Sequence, residues 1–469
     1  MNRGLLIVGV LYGLLAIGYN LATPYGAAPD EGAHLAYVKT LAAGRLPVLD
    51  VTGQQERHVA YEAHQSPLAY ALAVPVWLAA RALGAPEPVA AKAVRCLSIV
   101  WGGIGLLAIG WLVRAALPLE PRGTLLLAVG FAALLPMRLA VSAAISNDPL
   151  AESVATAALA LMVTMVRRGI ARRRALALGL VLGIALLTKI SLILLLPTAA
   201  IALVLAAVDE EPRATSRRPA DSRPAKVGPA LQAGAIVFGL ALAIGGPWLV
   251  RNQWLYGDPL ANRAFVAYFQ DTPRWDPSAG GMRFHIRGED ALLPMSAGDY
   301  WLRAVAPVTF ASFWGAFGHL ERPELFLGIG EDEVVPRSLF QEGTPAAWLA
   351  RSWLYPSLAL LSLAAAIGCG IRWVRGSPRR TRSGRSIALV LGVAWLLVVA
   401  GFLRFNAVFY QAQGRYLFLA MGPIALAMAV GWRECVPQRW RDGLTAGLLA
   451  AMAALAVYAL VGVVGPAFE

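Results

Sequence analysis

The sequence predicts an all-α polytopic membrane protein, a bundle of about eleven transmembrane helices. Three observations predict it. Of 469 residues, 58% are hydrophobic and 15% charged, where soluble domains are about half apolar, and mean hydropathy is +0.59. Apolar runs long enough to cross a ~30 Å hydrocarbon core recur along the whole chain. The net charge of +13 lies in short clusters between those runs. That is the pattern of the positive-inside rule and not of one basic face for nucleic acid, so nucleic acid is excluded as a partner. The cysteines, Cys96, Cys369 and Cys435, are scattered, which supports neither a zinc site nor a disulfide framework.

The first span, Gly4–Leu21, reads as a retained helix, because no small-residue cleavage site precedes Asp30. Further spans are expected at Leu97–Val113, Thr124–Val141, Leu150–Val166, Ala175–Thr188, Leu192–Val208, Ala230–Val250, Ala347–Ile371, Ile387–Leu403, Tyr416–Trp432 and Leu444–Val464. Pro67–Leu83 is shorter, holds Pro75 and Arg81, and decides the parity. The cluster Arg167, Arg168, Arg172, Arg173 and Arg174 marks a cytoplasmic loop. If Pro67–Leu83 stays juxtamembrane or re-entrant, the N-terminus and every other basic loop also fall inside. The outer face then receives the loop Ala22–Cys96, the turn Ser142–Pro149, the segment Arg251–Pro345 and the turn Arg404–Arg415. Trp301–Phe317, rich in aromatics, is expected to lie in the interface. The organisation is a catalytic membrane module over 1–250 with outer loop 22–96, an outer loop over 251–346, and C-terminal helices over 347–469.

Candidate chemistry gathers on that outer face. Asp30 and Glu31 follow the first span, and carboxylates at a membrane edge are costly unless they meet water, a partner or a substrate. One of them serves as a general base on a hydroxyl; the structural alternative is a helix N-cap for the segment that follows. His34 lies one turn on and shares their face. Asp30, His34 and Asp148 are the candidate ligands should a divalent metal ion be used; no other cofactor is called for. Glu62, His64 and Gln65 stand where the chain returns to the bilayer, as substrate contacts or as an ordinary polar helix start before Pro67. Asn147-Asp148-Pro149 offers a second carboxylate or an N-cap. Lys189, Arg251 and Arg415, with Tyr416 beside the last, are cations on the face where cations are less expected. That favours a phosphate ligand over snorkelling.

Several of these stretches together resemble the C-type (GT-C) clan of membrane glycosyltransferases: the Asp30-Glu31 pair after the first helix, His64-Gln-Ser-Pro-Leu68 and Asn147-Asp148. The clan includes protein O-mannosyltransferases and the lipid A aminoarabinose transferase. An uncharacterised bacterial branch is suggested by Leu187-Thr-Lys-Ile-Ser191, Arg251–Pro259, Ser312–Gly318 and Gln413-Gly-Arg-Tyr416. The resemblance covers nearly the whole chain, through short motifs. It implies Asp30 as catalytic base, Asp148 as second acid, and Lys189 and Arg415 at the donor phosphate. Ser66-Pro67 stands where relatives often carry Pro-Pro, and no large soluble C-terminal domain follows.

The resulting expectation is inverting transfer of a sugar from a polyprenyl-phosphate donor to a glycan, lipid or protein hydroxyl. It takes place at the outer face of a bacterial inner membrane, among membrane lipids. A transporter or flippase is the main rival, and a non-catalytic partner in cell-envelope glycan assembly the second. The first would carry charges at mid-depth and repeated halves, and neither is evident.

Overall fold

A computed structural model of the chain describes residues 3–49, 61–120, 122–209, 227–270, 272–286, 289–315, 353–375 and 382–466. Among the described residues nine helices are long and apolar enough to cross a membrane, and ten if one bent pair counts as a span. They include α1 (Arg3–Ala22), α4 (Glu87–Ala116) and α7 (Asp148–Arg168). The bent pair is α5 (Arg122–Leu134) and α6 (Pro136–Ser142). Of the eleven expected spans, the remaining one is α8 (Arg172–Thr188), with 17 residues. It still runs the length of α7: a short turn joins one pair of ends, and at the other Lys189 pairs with Asp148.

The core sits around α7, most of which is buried. Its Ala151, Ala155, Ala158 and Ala160 are fully enclosed, and such small residues let neighbouring helices approach closely where lipid supplies no hydrophobic drive. The expected single span Thr124–Val141 is instead broken by 61° at Leu135-Pro136. Leu135 is extended, as a residue before proline prefers. Pro136 has no N–H for the Ala132 carbonyl four residues back. Arg138 takes that carbonyl (3.3 Å), the Gly102 carbonyl (2.8 Å) and both oxygens of Glu152 (2.9 Å). The charge pair within the span is thereby fully used in holding the break.

Two helices lie in the first loop, α2 (Glu31–Ala42) and α3 (Leu68–Ala82). They pack Tyr37, Val38, Tyr70 and Trp77 against Ala90, Ala91 and Val94 of α4. Arg95 meets Glu31 near the start of α4, while Arg167 at the end of α7 donates to Ala116 at the end of α4. The start of α4 therefore lies at the Glu31 end of the bundle. Lys39 of α2 pairs there with Glu87, just beyond α3, and Ser66, just before α3, bonds the Leu186 carbonyl beside Lys189. Both ends of α3 are at one face, so it does not cross, as the charge parity of the loops called for.

The spans continue with α9 (Leu195–Val208) and α10 (Val227–Tyr256), followed by a short α11 (Asn262–Tyr268). The long segment after α11 holds an antiparallel sheet that hydropathy did not reveal: β1 (Arg274–Asp276), β2 (Gly281–Ile286) and β3 (Glu289–Pro294), in that order. The helix expected to lie in the interface, α12 (Ala306–Trp314), instead inserts into the bundle. Its Trp314 is buried edge-on to Phe131 of α5. Ahead of it Tyr300–Val305 form a π-helix, with Ala304 and Val305 buried and Leu302 exposed; residues 316–317 of that expectation, and the start of the expected span at 347, lie outside the described residues. The chain closes with α13 (Leu354–Val374), α14 (Arg382–Asn406), α15 (Met421–Glu434) and α16 (Arg441–Tyr458).

Candidate active site

Asp30 precedes α2 in a left-handed conformation, φ 59° and ψ 8°. Such a backbone costs roughly 1–2 kcal/mol for an L-residue, less for aspartate, and collects at functional positions. Although it stands at the N-cap, its side chain makes no cap bond. The carboxylate instead meets Arg415 at 3.0 Å and keeps 29% of the side chain exposed. Arg415, buried, also faces Asp148 at 3.9 Å, and Asp148 pairs with Lys189. Two acids and two bases from four distant parts of the chain thus form one neutral cluster. Among the described residues the Arg415 Nε–H has no acceptor.

Each member is delivered by a break in regular structure. Lys189 is extended between α8 and a 3-10 turn. Asp148 opens α7 with Pro149 in its first turn, and Asn147 at the N-cap makes no cap bond either. Arg415 lies on the 3-10 turn Gly414–Ala420. Gly414 is clamped there: its N–H donates to Ser312 Oγ (2.8 Å), and a Cβ would collide with the backbone of Thr309 and Phe313.

Glu31 points the other way. Arg95 holds it at 2.5 and 2.6 Å, with neither side chain exposed, and it accepts from Gly26 and Ile145 backbone N–H groups. Arg95 also donates to the Asn20, Thr23 and Pro24 carbonyls. Glu31 is a buried anchor joining α1, α4 and the turn before Asp148, so the two adjacent acids play different parts.

His34 and Glu62 stand behind Asp30. The His34 Nδ1 shares a 2.9 Å hydrogen bond with Tyr70 Oη, and burial pushes the imidazole down to about 4, into the neutral form. Glu62 Oε2 is 3.9 Å from that nitrogen. Burial, then the charge of Asp30, pushes its carboxyl up to about 8. Gln65 and Asn147 tie loops together: Asn147 donates to the Gln65 side chain (3.1 Å) and Tyr37 to the Gln65 carbonyl (3.0 Å). His64, neutral through burial at about 3, packs its ring at 4.6 Å on Phe265 of α11. Phe265, Phe269, Phe405, Phe409 and Tyr61 extend this aromatic wall, with Tyr416 joining through Phe405. Arg251 is not brought to the cluster. It lies 4.5 Å over Trp248 and donates to Pro47, holding the first loop in place.

Among the described residues no three His, Cys, Asp or Glu side chains are placed to hold a metal ion. The candidates Asp30 and Asp148 face Arg415 and Lys189, and His34 faces Tyr70. Arg95, Arg138, Glu152 and Tyr70 were missed in the sequence. For Arg138 and Glu152, ionisable groups inside apolar runs were the available signal.

No family model matches the chain, and no curated protein matches it in sequence. Solved structures similar to it include ArnT from Cupriavidus metallidurans bound to undecaprenyl phosphate. It is 15% identical, with 100% of this chain and 74% of that one covered and a TM-score of 0.49. The same protein in the apo state is 20% identical, with 92% and 78% covered and a TM-score of 0.39. The Archaeoglobus fulgidus oligosaccharyltransferase tethered to an acceptor peptide is 12% identical, with 98% and 54% covered and a TM-score of 0.42. The chain therefore spans about half the length of that last protein.

Proposed function

We propose that this chain is a membrane glycosyltransferase that moves a sugar from a polyprenyl-phosphate donor to an acceptor hydroxyl. The acceptor belongs to a glycan, lipid or protein at the outer face of the bacterial cytoplasmic membrane. The observation that carries the reading is the Asp30–Arg415–Asp148–Lys189 cluster. It pairs a partly exposed carboxylate with a buried guanidinium that still has an unused donor, at one end of a bundle of spans. A phosphate suits that donor, since guanidinium binds such oxygens through directed hydrogen bonds.

The donor phosphate binds Arg415 and Lys189, and Asp30 turns to the acceptor hydroxyl. Asp30 takes the hydroxyl proton as that oxygen bonds to the anomeric carbon. The bond from the anomeric carbon to the phosphate oxygen breaks on the opposite face, which inverts the configuration. The polyprenyl phosphate leaves with the electron pair, and the two fixed cations stabilise the added charge. A narrow, mostly apolar crevice between Ser191, Leu195, Thr198, Ala394, Val398 and Leu419 also reaches Leu159 of α7.

The far end of the bundle supports an outward site. Arg372 bridges Glu120 and Glu434 there, and Arg433 and Arg441 cap the same end, as cytoplasmic loops do. Deleting the protein from its host should remove one surface glycan and accumulate its polyprenyl-phosphate sugar, read by mass spectrometry of lipid extracts. Unchanged glycans and unchanged lipid-linked pools would overturn the proposal.

A further inference from the structure

We infer that Ser66 is a positioning residue: its hydroxyl holds open the break at the end of α8 that presents Lys189 to Asp148 and to the donor phosphate. The inference rests on the function proposed above and assigns one part of that site.

The argument starts from the last carbonyls of α8. A helical carbonyl accepts from the N–H four residues on, so Leu186 would take the N–H of Ile190. The chain leaves the helix before that bond is made. Lys189 still donates to the Ala185 carbonyl (3.0 Å), but its backbone is extended, φ −156° and ψ 128°, and Ile190 opens the 3-10 turn. The Leu186 carbonyl is thus one of the orphans of a helix end. Leu186 is buried, and a buried carbonyl needs a partner. Ser66 Oγ supplies it at 2.7 Å, with Ser66 itself fully enclosed.

Ser66 is a fixed point. Tyr37 of α2 donates to the Gln65 carbonyl (3.0 Å) and Asn147 to the Gln65 side chain (3.1 Å), and Pro67 starts α3 on the other side. The hydroxyl is therefore set relative to α2, which follows Asp30, and to the turn that ends in Asp148. Through Leu186 it ties both to α8. The helix cannot retreat from it, because α10 packs behind: a Cβ on Gly245 would lie 2.6 Å from Leu186 Cβ. Removing the hydroxyl frees the Leu186 carbonyl to recover its helical partner. Ile190 then draws back onto α8, and Lys189 moves from ψ 128° toward about −42°. That rotation turns its side chain off Asp148. Ser66 thus acts on the ligand only through the α8 backbone and Lys189.

Full-length protein in lipid nanodiscs tests this with undecaprenyl phosphate as the probe. Ser66→Ala should weaken its binding about tenfold, at an unfolding temperature near that of wild type. In a Lys189→Ala background the same change should cost less than about twofold, because the cation it positions is gone. Ile190→Pro removes the competing N–H and holds residue 189 extended. Added to Ser66→Ala, it should recover most of the loss. If Ser66→Ala does not fold, Ser66→Cys, with a weaker donor, carries the same comparison. Binding unchanged by the loss of the hydroxyl, weakened equally with and without Lys189, or not recovered by Ile190→Pro would overturn the inference while the proposed function stands. Failure of wild type to bind the lipid would remove the proposed function, and this assignment with it.

Discussion

At the level of single residues, adjacency in sequence proved a poor guide to role. Asp30 and Glu31 are chemically equivalent in the chain, yet Asp30 turns toward Arg415 and Glu31 is sealed against Arg95. The left-handed backbone at Asp30 separates them, aiming consecutive side chains to opposite sides of the α2 N-terminus. Two outcomes follow from that division. Asp30→Asn should keep its fold and lose about 10²–10⁴-fold in transfer rate, the usual worth of a general base, as measured with an undecaprenyl-phosphate sugar. Wild-type transfer by that variant would end the base assignment. Glu31→Gln should instead destabilise, because removing one partner of a fully buried pair costs about 3–5 kcal/mol. Thermal unfolding in detergent checks it, and an unshifted midpoint would contradict the anchoring role. The acidic pair was legible in the sequence, but its division was not. Arg95 sits two residues ahead of the expected span Leu97–Val113, where it passed for an ordinary flanking charge.

Among the elements, legibility followed hydropathy. Each long apolar run became a helix, because a chain in lipid must satisfy its backbone internally. The breaks were harder to read. Pro136 was visible, but that Arg138 would supply the donor missing at Ala132 depends on α4 and α7 being beside it. The sheet β1–β3 lies outside the apolar runs, in a polar and aromatic segment where hydropathy gives no signal. Its strands pack Met282 with Tyr300 and Ala412, next to the turn that carries Arg415. That turn depends on Gly414 fitting against α12, so Gly414→Ala should displace Arg415 without unfolding the spans. Misplacing a catalytic group by about 1 Å costs up to ~10²-fold, so the variant should transfer 10- to 100-fold more slowly at a near-normal unfolding temperature. Full activity in that variant would show the clamp to be slack.

For the whole molecule, the proposed outward site depends on whether one short helix crosses. If α3 crossed, Glu87 would be at the far end from Asp30; instead Lys39 and Arg95 tie the start of α4 to α2. The charge parity read from the sequence therefore applies: the Asp30–Arg415–Asp148–Lys189 cluster and the Arg-rich turn between α7 and α8 are at opposite ends. On the positive-inside rule the basic end is expected in the cytoplasm, and labelling tests that orientation. Arg45 is exposed just beyond α2, and Arg173 is exposed at the start of α8. With Cys96, Cys369 and Cys435 replaced, Arg45→Cys should react with a membrane-impermeant maleimide on intact spheroplasts. Arg173→Cys should react only after the membrane is opened. The reverse pattern would put Asp30 in the cytoplasm, where nucleotide sugars are also at hand, and would remove the main reason for a lipid-borne donor. Labelling of both sites from one side would mean that α7 and α4 do not run as full spans between them. The bundle's polarity, more than any single side chain, thus determines which donor the site can meet.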